Sequence, residues 1–105
     1  MERCVIEVVG VSEQKRSVDF LDEARSIQEE RAREYDQPDG ERSMAKTVAM
    51  FNVVTGMELK ESDGWLFMSL LKIVRDQSRT TVHVDACRDL VSYASLYAES
   101  RSAGQ

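Results

Sequence analysis

Lys72 and Arg75 stand three residues apart, and Asp85 and Asp89 four apart, on either side of the polar run QSRTT at 77–81. Three or four residues make one helical turn, so each pair shares a face if its segment is helical. Folding the two segments back on one another near Arg79–Thr80 sets Arg75 against Asp85 and Lys72 against Asp89. Two chemistries fit this pattern. The charges can be interhelical ion pairs, which add little net stability but penalise wrong pairings. Alternatively they form a site: Lys72, Arg75 and Arg79 hold the oxygens of an anionic ligand, while Asp85 and Asp89 orient the bases or hold Mg²⁺.

A second candidate group is Arg31 with Tyr35, just before the turn DQPDGE at 36–41 that holds the only proline, Pro38. An arginine and a tyrosine beside a rigid turn can line a cleft, although EERARE at 29–34 also reads as an exposed face of mixed charge. Tyr93 lies one turn beyond Asp89 and can bring its hydroxyl to the same place, or sit half-buried at the edge of a bundle. His83, the only histidine, opens a predicted helix, where the helix dipole disfavours its charged form. It reads as a surface residue before it reads as a general base. No Ser-His-Asp or Cys-His arrangement is legible, and the glycines are too scattered for a phosphate-binding loop.

Four helices must position these groups. The first is predicted over 18–35 with Ser17 as N-cap, and with Phe20, Leu21, Ala24, Ile27, Ala32 and Tyr35 as its apolar stripe. The second is predicted over 42–55, burying Ala45, Val48, Ala49, Phe51, Asn52 and Val54, with Gly56 just past its end. The third starts at Ser62. Its run WLFMSLLKIV is apolar on nearly every side, which predicts a central helix covered by several neighbours. The fourth is predicted over 83–100, with Val84, Cys87, Leu90, Val91, Ala94 and Tyr97 inward. MERCVIEVVG at the start reads as a short strand ended by Gly10. The expected organisation is an arm at 1–17, one all-α domain at 18–100 and a fraying tail at 101–105. The fold class is a four-helix, mostly antiparallel bundle. An arm of this kind can associate by strand pairing, so a homodimer or larger is expected.

Length and charge narrow the classes. A chain of 105 residues suits one domain with a modest core. Its net charge of −5 disfavours binding to a phosphate backbone. Cys4 and Cys87 are unclustered, which argues against a structural zinc site and for a reducing cytoplasm. No signal peptide and no spanning stretch is legible.

The order of the features resembles a family of small tailed-phage proteins. The elements that carry the resemblance are Arg31, YDQP at 35–38, AMFNVVTG at 49–56, Asp63, LLKIVR at 70–75 and DACRDLVSY at 85–93. Asp36 and Ser92 stand where that pattern has glycine; at Ser92 this predicts a looser helix approach. The resemblance implies a phage origin and an all-α fold, so the cytoplasm expected above would be that of the host cell. A looser likeness is to the MazG-like nucleotide pyrophosphohydrolases, whose Glu-x-x-Glu and Glu-x-x-Asp pairs hold Mg²⁺ against a triphosphate. Here the only Glu-x-x-Glu is Glu58/Glu61, in a predicted loop, and Asp19, Asp22 and Glu23 cluster in a first turn. The leading expectation is therefore a non-catalytic accessory protein, for host takeover or anti-defence, that binds a host protein or a nucleotide-type ligand without a cofactor. The alternatives are a Mg²⁺-dependent MazG-like hydrolase with Asp85 and Asp89 as metal ligands, and a purely structural helical module.

Overall fold

The computed structural model describes residues 14–34 and 43–104. The predicted arm and strand at the N-terminus, Tyr35 and the turn around Pro38 lie outside the described residues. Within them the protein is all-α, with α1 (Ser17–Glu34), α2 (Met44–Thr55), α3 (Glu61–Gln77) and α4 (Val84–Ser102).

Local chemistry fixes the helix ends. Two caps differ from the serines that the sequence suggests. Ser17 is the first residue of α1, and Asp19 reaches back to accept the Arg16 N–H at 2.9 Å. Ser62 lies inside α3 and is buried; Asp63 accepts the Lys60 N–H at 2.8 Å. In both helices a carboxylate in the first turn takes an N–H that would otherwise lack a partner, where the helix dipole also favours negative charge. Gly56 ends α2 as expected, in the left-handed region at φ 77°. Beyond it the Asn52 amide ties down the loop, donating to the Leu59 carbonyl and accepting the Leu59 N–H, both at 3.0 Å. The helix α4 runs to Ser102, two residues past its expected end.

The helices pack in a row: α2 on α3, α3 on α4, and α4 on α1. The six-residue connection 78–83 makes α3 and α4 antiparallel, as a short link requires. The helix α1 instead runs parallel to α4, since Glu23 lies beside Arg88 while Gln28 lies beside Ser92 and Ser95. The two are not consecutive, so no short loop constrains their sense.

The buried residues among those described are mostly small: Ala24, Val48, Ala86, Ser62, Ser92 and Ser100, with Trp65 the one large side chain. Small residues let backbones approach closely. Gly64 shows this most sharply, because a Cβ there would collide with the Met44 sulfur and lie 3.0 Å from Val48 Cγ2. Ser92 keeps the close approach that glycine would give. It is buried, and its hydroxyl accepts a hydrogen bond from the α1 residue Gln28 at 2.8 Å.

Several expectations about burial fail: on α1 Leu21 is 58% exposed, and on α4 Tyr97 is 38% exposed. The α3 run is not covered on every side: Leu66, Phe67, Leu70, Ile73 and Val74 are exposed, Phe67 by 69%. On α2 only Val48 of the expected face is buried, while Phe51 and Val54 stand out at 44% and 76%. The row arrangement is the reason. Among the described helices α2 packs only on α3, so no described helix covers its far side.

Candidate functional site

The face of α3 turned toward α4 carries Trp65, Ser69, Lys72 and Asp76, spaced at one-turn intervals. Lys72 Nζ reaches Asp89 at 3.1 Å and lies 5.9 Å from the centre of the Tyr93 ring. The Lys72 side chain is only 11% exposed. Tyr93 stacks on Trp65 with ring centres 5.7 Å apart and planes at 27°. The indole N–H of Trp65 donates to Glu61 Oε2 at 3.0 Å. Glu61 is thus the first residue of α3, not part of a loop, and its carboxylate orients the buried ring.

The predicted Arg75–Asp85 pair does not form. Asp85 pairs within its own helix, accepting from Arg88 at 2.7 Å, and its side chain is 71% exposed. Arg75 is exposed and has no ion-pair partner among the described residues. Arg88 leans toward α1, where it lies 3.9 Å from Glu23; Lys15 meets the same carboxylate. Arg75 and Asp85 therefore leave the candidate cluster. Asp85 and Asp89 do not converge either, since each carboxylate turns to a different cation.

Asp76 takes a role that the sequence did not suggest. It accepts the His83 N–H at 2.8 Å, while His83 Nδ1 accepts the Ala86 N–H at 3.4 Å and caps α4. Nδ1 is thereby taken up by the α4 backbone. Cys87 sits beside Asp76. Burial first, then the Asp76 charge and a hydrogen bond to it, push the thiol above its ordinary value of 9.0. The neutral thiol is favoured in the folded state, so its stabilising effect is present below pH 9.0 and is lost as pH rises above it. Cys87 should therefore alkylate at least about fivefold more slowly at pH 8 in folded protein than in urea-unfolded protein. Peptide mass spectrometry after iodoacetamide treatment checks this, and equal rates would refute it.

A cleft of ≈ 150 Å³ opens where α1, α3 and α4 meet the start of α2. Arg31 and Gln28 line it from α1, Ser43 and Thr47 from the start of α2, Trp65 from α3 and Tyr93 from α4. Gln28 fixes the α1 wall, donating to Ser92 Oγ and to Ser95 Oγ at 3.0 Å. Arg31 and Tyr93, proposed from separate parts of the sequence, thus share one cleft, and the Lys72–Asp89 pair lies beside it, with Lys72 Nζ 5.9 Å from the Tyr93 ring. Trp65 and Gln28 had a readable signal. Trp65 lies two turns before Lys72, and Gln28 one turn before Arg31. Ser43 and Thr47 had none, because their place depends on how α2 lands. The cleft offers a guanidinium, hydroxyls and an aromatic wall, which suit an anionic group attached to a planar ring. Among the described residues, no three His, Cys, Asp or Glu side chains are grouped so as to hold a metal ion. No described helix is long and apolar enough to cross a membrane.

A family model described as a domain of unknown function (DUF6378) matches residues 19–101, and the chain belongs to that family. No curated protein and no solved structure matches the chain.

Proposed function

We propose that this member of the DUF6378 family is a non-catalytic binding protein whose cleft takes a small anionic ligand of nucleotide type. The resemblance to tailed-phage proteins suggests its setting, an accessory protein acting inside an infected host. One observation carries the ligand reading: Arg31 of α1 and the Trp65–Tyr93 stack line the same cleft. An arginine fork meets phosphate oxygens in a bidentate way, and an aromatic wall suits a base. At ≈ 150 Å³ the cleft is below the usual range of ~300–1,000 Å³ for a whole small-molecule site. It has room for a phosphate or part of one ring, so much of a bound nucleotide would stay in water.

The hydrolase alternative needs Asp85 and Asp89 on one Mg²⁺, and both are held elsewhere, by Arg88 and Lys72. A single experiment separates the readings. The protein is melted with nucleoside triphosphates, deoxynucleotides and cyclic dinucleotides, with and without Mg²⁺, and each mixture is then chromatographed. A ligand at a hundred times its dissociation constant adds ~2.7 kcal/mol, or about 10–20 °C in a domain of this size. The expected result is such a shift for at least one compound, without product, and its loss in Arg31→Ala. Mg²⁺-dependent product would replace this reading with the hydrolase. No shift across the set would leave a host protein as the partner.

A further inference from the structure

The outer face of α3 is an exposed apolar surface. Leu66, Phe67, Leu70, Ile73 and Val74 recur every three or four residues along it, the spacing of a helix–helix seam. A groove of ≈ 560 Å³ runs between this face and α2, floored by Val48 and flanked by Phe51, Leu66, Phe67 and Leu70. We propose that this face is the interface for a second copy of the same chain, packed about a two-fold axis with the two α3 helices antiparallel.

Three observations favour a second copy. The first is the patch itself. Leu66, Phe67, Leu70, Ile73 and Val74 of α3 and Phe51 of α2 are 41–69% exposed, and Phe51, Leu66, Phe67 and Leu70 line one groove. Contiguous exposed apolar surface of this kind marks an interaction site. The second is charge within the patch. Between Asp63 and Arg75 the only charged residue of α3 is Lys72, which is turned inward onto Asp89, and Lys46 is the only one on α2. Two copies of a chain carrying −5 can therefore meet here without like charges facing each other. The third is charge at the ends. The first turn of α3 holds Glu61 and Asp63, and the last turn holds Arg75. An antiparallel pairing centred between Phe67 and Leu70 brings the acidic end of each helix toward Arg75 of the other. It also accounts for an exposed arginine without an ion-pair partner among the described residues.

The pairing has a further consequence for α2, which packs on α3 alone among the described helices. Met44, Thr47 and Met68 line both the groove and the ligand cleft. A second copy seated over the groove would hold α2 as a fixed wall of both.

Sedimentation equilibrium of the full chain tests the interface. At about 1–100 µM the wild type should sediment as a dimer of the 11.9 kDa chain. Phe67→Glu and Leu70→Glu should each raise the dissociation constant at least about 100-fold and give monomers. Both side chains are half or more exposed in the single chain, so helical circular dichroism and a cooperative melt should persist. Val82→Glu, at an exposed site outside the face, should leave the dimer intact. A wild type that is monomeric throughout would overturn the proposal. An assembly that survives both substitutions would overturn it as well.

Discussion

Asp89→Ala should cost about 2–4 kcal/mol of folding stability, while Asp85→Ala, four residues earlier, should cost no more than about 0.5 kcal/mol. The two aspartates differ in surroundings, not in chemistry. Asp89 holds Lys72, whose side chain is 11% exposed between α3 and α4, and removing the carboxylate strands a nearly buried ammonium. The Tyr93 ring, 5.9 Å away, offers that ammonium only a weaker alternative. Asp85 is 71% exposed and pairs with Arg88 on its own helix, the kind of contact that water and salt largely cancel. Urea unfolding of both variants gives the comparison. Lys72→Met combined with Asp89→Leu should recover most of the Asp89→Ala loss, because no charge is then left without a partner. Equal losses from Asp85→Ala and Asp89→Ala would mean that the Lys72–Asp89 contact does not set the register of the helix pair.

Four helices, their order and the antiparallel α3–α4 hairpin were all readable, because apolar spacing and turn residues act locally. Of the two ion pairs that this hairpin implied, only Lys72–Asp89 forms. A register argument fixes which residues share a level along two helices, but not how far each side chain is rotated from the contact line. Arg75 is one residue before Asp76, and Asp76 occupies the contact line, where it accepts the His83 N–H. Asp85 meanwhile has Arg88 one turn away. The parallel sense of α1 and α4 was not readable, since nothing in the intervening chain encodes it. The exposure of α3 departs from the sequence expectation for a related reason. An apolar helix signals that its surface must be covered, but the sequence does not say whether the cover comes from the same chain. In the candidate site, Arg31 and Tyr93 could be named from residue type and local position. That they share a cleft depends on the packing of α1 on α4, which only the fold supplies.

Trp65→Ala should be the most damaging single substitution in the described chain, at about 3–5 kcal/mol. Trp65 is 3% exposed and is the only large side chain among the buried residues; its neighbours in burial are alanine, valine and serine, which cannot move in to fill the space. The substitution also removes the stack on Tyr93 and leaves Glu61 without its indole donor. Domains of this size have only about 5–15 kcal/mol to lose, so the variant should lose a large share of its stability. Trp65→Phe separates the contributions. It keeps a ring against Tyr93 but loses the hydrogen bond to Glu61 and some volume, and should cost about 1–2 kcal/mol. Far-UV circular dichroism in urea measures both variants, because the only tryptophan, the natural fluorescence probe, is the residue removed. The same pair tests the cleft. Trp65 forms its aromatic wall, so Trp65→Phe should retain a ligand-induced melting shift, reduced in size, while Trp65→Ala should lose it even at low temperature where the helices persist. A Trp65→Ala protein that is as stable as wild type would mean that the α3–α4 seam is held by something other than this ring.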